Sequence, residues 1–142
     1  MQCTFQLQEN TLTAKEFCDI QQSVGYGRPP EEQIRQALAH TLYTVKAVSD
    51  GKTVGMGRIT GDGVRFAMLN DVFIMPEFQA MGIGRAIVQA LLTHLTACQL
   101  PDTGLMVNLM AAKGKEGFYE KFGFLSRPNE HLGCGMSMTL KK

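Results

Sequence analysis

The sequence has almost no charge of either sign to spare: fourteen basic side chains stand against thirteen acidic ones in 142 residues, leaving a net charge of +1. Binding a phosphate backbone needs a broad basic surface, so nucleic acid is not an expected partner. Cysteines at metal-ligand spacing are also missing. Cys3, Cys18, Cys98 and Cys134 are scattered without a CxxC pair, and His40, His94 and His131 lie at no ligand spacing from them. No metal is therefore expected, and the cysteines read as free thiols of a reducing, cytoplasmic compartment. Long apolar runs are absent as well. Nothing approaches the roughly 18–20 residues of a membrane span, and the opening MQCTFQLQEN has no basic stretch followed by an apolar one. Neither secretion nor a membrane partner is expected.

What is present suffices for one packed core. Apolar residues make up 44% and charged residues 19%, ordinary for a globular protein, and the length suits a single domain over residues 1–142. Phe5 and Leu7 alternate with polar neighbours over Thr4–Gln8, a half-buried strand. After Leu12-Thr13, the residues Phe17, Ile20 and Val24 recur at helical spacing until Gly25, Gly27 and Pro29-Pro30 stop the pattern; a second helix begins near Glu31 and buries Ile34 and Leu38. Three strands follow, Tyr43–Val48, Thr53–Ile59 and Val64–Ile74, joined through Asp50-Gly51 and Gly61-Asp62-Gly63 as an antiparallel meander.

From Gly82 to about Cys98, a stripe of Ile83, Ile87, Val88, Leu91, Leu92 and Leu95 marks a long amphipathic helix. Leu105–Met110 reads as a strand, Lys115–Phe122 as a short helix, and Gly135–Leu140 as a last strand with Met136, Met138 and Leu140 on one face. The order is α/β, and the strand–helix–strand crossover at its centre predicts that Val64–Ile74 and Leu105–Met110 run parallel.

That crossover carries the candidate site. Asp71-Val72-Phe73-Ile74 leads through Met75-Pro76-Glu77-Phe78 into Gln79-Ala80-Met81-Gly82-Ile83-Gly84-Arg85 and the long helix. Glycines at 82 and 84 let the backbone approach a ligand closely, and the unpaired N–H groups of a helix start attract an anion such as a pyrophosphate. Arg85 offers a charge contact and Gln79 an amide donor. The loop is not a Walker loop, having no Gly-Lys-Ser/Thr, and lacks the third glycine of a Rossmann fingerprint.

Gln79-Ala80-Met81-Gly82-Ile83-Gly84 resembles the Gln/Arg-x-x-Gly-x-Gly/Ala signature of the GNAT acetyltransferases. Phe118-Tyr119-Glu120-Lys121-Phe122-Gly123-Phe124 is similar to that family's second motif, and the two stand in the family's order. The resemblance implies a GNAT-like fold, a mixed central sheet with a splayed parallel strand pair and flanking helices. It implies an acyltransferase that moves acetyl from the cosubstrate acetyl-CoA to a primary amine of a small molecule or protein, by direct attack in a ternary complex. The alternative is a CoA-sensing module of the same fold without turnover.

By the same resemblance, backbone groups of Val72, Phe73 and Ile74 pair with the pantetheine arm, and Gln79, Ala80, Met81, Gly82, Ile83, Gly84 and Arg85 hold the pyrophosphate. Tyr119 is the proton donor to the departing thiolate. Asp71 is a candidate base, although the same position suits a carboxylate that binds a backbone turn or a cationic substrate, and a water chain also suffices. Ala112 departs from the Asn often found there, so the loop of Ala111, Ala112, Lys113 and Gly114 contacts CoA differently. The methionines read as core packing, and Cys134 near His131 as loop residues. Arg28-Pro29-Pro30 falls where the family places its variable substrate-side wall; Tyr26 and Arg28 suit contact with the acceptor and equally an ordinary stiff turn. A homodimer is compatible with the resemblance.

Overall fold

The computed structural model describes residues 3–142. They form two compact units, one ending at Leu109 and the other running over Met110–Lys142. The first unit contains β1 (Gln6–Glu9), α1 (Ala14–Ser23), α2 (Glu31–Ala39), β2 (Tyr43–Ser49), β3 (Lys52–Gly61), β4 (Phe66–Ile74), a single turn over Pro76–Phe78, α3 (Ile83–Cys98) and β5 (Met106–Leu109). The strands make one sheet in the order β1-β2-β3-β4-β5. Neighbours are antiparallel except β4 and β5, which are parallel, so the expected meander and mixed sheet both form.

Local chemistry explains the joints. Asp50 and Gly51 both take positive φ, 48° and 74°, the geometry that closes a two-residue hairpin between right-twisted strands. At the start of α1, Thr13 Oγ1 accepts the Glu16 N–H at 3.1 Å while Glu16 Oε1 accepts the Thr13 N–H at 2.9 Å, a reciprocal cap. Glu16 also takes Lys46 Nζ of β2 at 3.0 Å and the hydroxyl of Thr53 on β3. Burial pushes the Glu16 carboxyl up, but the bonds from Thr53, Thr13 and Lys46 outweigh it and hold the group below its ordinary value. One carboxylate thus fixes the first turn of α1 to the sheet.

The sheet is covered on both faces. Phe17, Cys18 and Ile20 of α1 and Ile34 of α2 pack with Met56 and Met75. On the other face, α3 buries Ile83, Ile87, Val88, Leu91 and Leu95. Two glycines of β3 set how closely α3 lies. A methyl group added at Gly55 would stand 2.8 Å from Ile74 Cδ1, and one at Gly57 2.8 Å from Ile87 Cγ2 and 3.1 Å from Leu91 Cδ1. Met56, between them, points to the opposite face, as strand alternation requires.

The second unit holds α4 (Glu116–Glu120) and an aromatic knot. Phe118 meets Tyr119 and Phe122 edge-on at 5.0 and 5.4 Å, and Tyr119 meets Phe124 at 6.1 Å. The strand expected at Gly135–Leu140 does not form. Alternation there is real, but a strand needs a partner for its backbone and a surface for its apolar face. Met136, Met138 and Leu140 are instead 89%, 80% and 84% exposed.

Two measurements test this packing. Gly57→Ala should lose about 1–3 kcal/mol in urea unfolding, because the added methyl meets the branched Cγ2 of Ile87 and not a flexible tip. Glu16→Gln should cost about 1–2 kcal/mol at pH 7, through the weakened cap and lost charge pairing. A lowered folded-state pKa stabilises above the unfolded value, about 4.5, and that contribution fades as pH falls through the folded value. The difference between wild type and Glu16→Gln should therefore shrink below about pH 4.5.

Candidate active site

β4 and β5 keep company for only part of their length. Their parallel register runs from Phe66 opposite Met106 to Leu69 opposite Leu109 and stops there, while β4 continues to Ile74. Residues 70–74 therefore have β3 on one side and no strand of this sheet on the other. The parting coincides with a bulge: Met56 pairs with Phe73 and Arg58 with Asn70, so Asp71 and Val72 together oppose Gly57. Asp71 takes φ 56°, which turns the strand at this point. An open strand edge of this kind accepts an extended ligand as it would accept another strand.

The open edge leads directly into the glycine loop. Ala80 has φ 62° and Gly82 φ 87°, and no heavy atom stands within 4 Å of where a Gly82 Cβ would lie. Gly82 is the N-cap of α3 and has no side chain to cap it. The first bond of the helix start runs from the Ala86 N–H to the Gly82 carbonyl at 3.1 Å, which leaves the N–H groups of Ile83, Gly84 and Arg85 ahead of it. No acidic residue occupies the first turn, and Arg85 is exposed there. The result is a positively polarised helix start suited to an anion. Met81 is 42% exposed on the same loop. Gln79 Nε2 donates to the Ile74 carbonyl at 2.9 Å, lacing the loop to the end of β4.

On the α1/α2 face of the sheet, Asp71 Oδ2 accepts from Arg58 Nε at 2.7 Å, and Arg58 Nη1 donates to Thr41 Oγ1 at 3.0 Å. The ion pair is largely shielded, with side-chain exposures of 17% and 24%. Arg58 was missed in the sequence. The signal was an arginine on the same strand face as buried Met56, where an unpaired charge would be costly. Beside this pair, the Tyr26 ring stacks on Phe73 of β4, with centroids 5.4 Å apart and planes 25° apart. Arg28 is held by Asp19 at 2.6 Å and Gln22 at 3.2 Å.

In the second unit, Tyr119 is half-buried on α4, and burial raises its phenol above the ordinary value. The loop before it is closed by Lys115 N–H to the Ala112 carbonyl at 2.9 Å, with Gly114 at φ 87° and Lys113 and Lys115 exposed.

A family model described as the acetyltransferase (GNAT) domain matches residues 11–139. The chain belongs to the GNAT acetyltransferase family. A chloroplastic serotonin N-acetyltransferase 2 of Oryza sativa subsp. japonica is 34% identical over 114 residues, covering 78% of this chain and 55% of its own. An uncharacterised N-acetyltransferase, ycf52, of Porphyra purpurea is 28% identical over 124 residues, covering 84% and 67%. The chain thus spans between about half and two-thirds of these relatives' lengths. Among solved structures, a probable acetyltransferase from meticillin-resistant Staphylococcus aureus superposes with a TM-score of 0.85 at 23% identity, over 96% of this chain and all of that one. At that identity the likeness speaks for the fold, and it is the GNAT fold.

The GNAT domain's residues fit the acetyl-CoA that the family implies. The open edge of β4 suits an amide-bearing arm, and the uncapped start of α3 suits the pyrophosphate. Asp71→Asn keeps a residue that tolerates the positive φ and leaves Arg58 without its counter-charge. It should lower stability by about 1.5–3 kcal/mol in urea unfolding at pH 7.

Proposed function

We propose that this chain transfers an acetyl group from acetyl-CoA to a primary amine, by direct attack within a ternary complex. The observation that carries the proposal is the parting of β4 from β5 after Leu69, at a bulge, with the freed edge running straight into an uncapped helix start. An edge that β5 leaves open beyond Leu69 and that runs into unpaired N–H groups suits an extended anionic ligand, since exposed edges are otherwise normally blunted.

Acetyl-CoA supplies an acetyl group activated as a thioester. Backbone groups of Val72 and Ile74, which face away from β3 on either side of Phe73, are assigned to hold the pantetheine arm and to offer an N–H where negative charge grows on the carbonyl; such a donor is worth about 10²–10³ in rate. Ile74 offers its N–H, since its carbonyl already accepts from Gln79. Ala80, Met81, Gly82, Ile83 and Gly84 are assigned the pyrophosphate through their backbone, with Arg85 adding charge. Gln79 acts by fixing the loop.

Two proton movements complete the chemistry. Asp71 is assigned to accept the amine's proton through Oδ1, because Oδ2 is engaged by Arg58. Tyr119 is assigned to protonate the thiolate, the role its motif position has in the family. Burial favours the neutral phenol, so Tyr119 holds its proton throughout the physiological range.

The test is thiol release from acetyl-CoA against a panel of primary amines. Amine-dependent release is expected, and Tyr119→Phe should lower kcat by about 10²-fold. Because burial raises the phenol, any loss of wild-type kcat from its ionisation should set in at a higher pH than the ordinary tyrosine value of about 10 would give. Tight acetyl-CoA binding without turnover by any amine would instead indicate a sensing module, and absence of binding would remove the cradle reading.

A further inference from the structure

The loop between α1 and α2 presents one aromatic ring in an unusual way. Tyr26 is 59% exposed, yet its backbone is tied down at both ends. Its N–H donates to the Gln21 carbonyl at 3.3 Å, and its own carbonyl accepts from Gln21 Nε2 at 3.2 Å. Gly25 and Gly27 flank it at φ 89° and 76°, conformations that L side chains rarely adopt, and Gly25 N–H is bonded to the Gln22 carbonyl at 3.1 Å. Arg28 closes the loop onto α1 through Asp19 and Gln22. The ring is thus held in place by its backbone and left open on one side.

Its location gives the openness a purpose. One face of Tyr26 lies on Phe73, and Phe73 packs against the α1/α2 core and belongs to the half of β4 that β5 leaves uncovered. Asp71, at the bulge, is two residues away along the same strand. The charges nearby are already matched: Asp19 Oδ2 takes Lys15 at 2.9 Å, Asp19 Oδ1 takes Arg28, and Asp71 pairs with Arg58. What the loop offers a ligand is a flat, preorganised π face rather than a counter-charge.

We propose that the Tyr26–Phe73 stack is an acceptor subsite and that it selects amines carrying a planar aromatic group, whose ring stacks on the outer face of Tyr26. The inference rests on the acyl-transfer reading for the word acceptor, but the subsite itself is open to measurement without turnover.

The experiment compares 2-phenylethylamine with 2-cyclohexylethylamine, which has the same length but no π face. Binding to the full chain is followed by saturation-transfer NMR titration, with circular dichroism confirming that each variant is folded. Wild type should prefer the aryl amine. Tyr26→Ala and Tyr26→Leu should both reduce that preference by up to about tenfold, whereas Tyr26→Phe should keep it. Tyr26→Leu separates the readings, since leucine still covers Phe73: if it retains the aryl preference, Tyr26 is only a cover and the proposal fails. It also fails if wild type shows no preference, or if Tyr26→Ala weakens both amines alike. Where turnover is measured, the ratio of the two kcat/KM values should follow the same pattern, carried by KM. Loss of turnover with every amine would defeat the acyl-transfer reading and leave the binding comparison to decide the subsite.

Discussion

The rest of the site depends on where β4 stops being a partner to β5. A parallel pair that kept its register to the end would leave no edge, and the strand would be satisfied by protein alone. Here pairing ends at Leu69 and Leu109, and the bulge at Asp71 and Val72 turns β4 away. Every other feature of the first unit follows that edge. The glycine loop continues it, Gln79 ties the loop to its last carbonyl, Arg58 steadies the bulge through Asp71, and Tyr26 stands on Phe73. The edge is therefore the organising constraint, and the named side chains are the means by which it is kept open and in place.

Keeping it open requires a rigid frame, and glycine in β3 supplies part of that rigidity. With no side chains at 55 and 57, α3 lies against the sheet, so Ile83, Ile87 and Leu91 reach the backbone of β3. Since α3 begins one residue after Gly82, the same close packing fixes where its unpaired N–H groups point. A helix free to slide would present a diffuse dipole; a helix seated on glycines presents its start at a fixed place beside the end of β4. Core packing and the placing of these N–H groups are thus two aspects of one contact.

Much of this was legible in the sequence, for identifiable reasons. Strong periodicity located α3, and Asp50-Gly51 located the first hairpin, because both signals are local. The parallel pairing of β4 and β5 followed from the crossover rule. The last strand was misread because alternation in Met136, Met138 and Leu140 records what a strand would look like, while a strand exists only if something lies beside it. The partner of Arg58 and the roles of Gly55 and Gly57 were invisible for a related reason. An ion pair between adjacent strands, and the absence of a side chain beneath a helix, are facts about register and distance, which residue spacing does not contain. Gln79 shows a subtler limit. Its motif marked it as important, but whether its amide faces a ligand or its own strand is decided by the turn between them.

The distribution of polar groups ties the two ends of the site together. At the start of α3 the chain offers backbone N–H groups, which suit an anion without adding a formal charge. On the α1/α2 face, Asp19 and Asp71 are each paired with an arginine. With both carboxylates paired, neither offers a ligand an unmatched charge. On the proposed reading, selection rests on short-range complementarity: strand-like pairing along β4, a backbone cradle at α3 and the flat face of Tyr26. Such contacts act only at close range and depend on fixed geometry, and this accounts for the loop around Tyr26 being fastened to α1 by its backbone when its side chain remains in solvent.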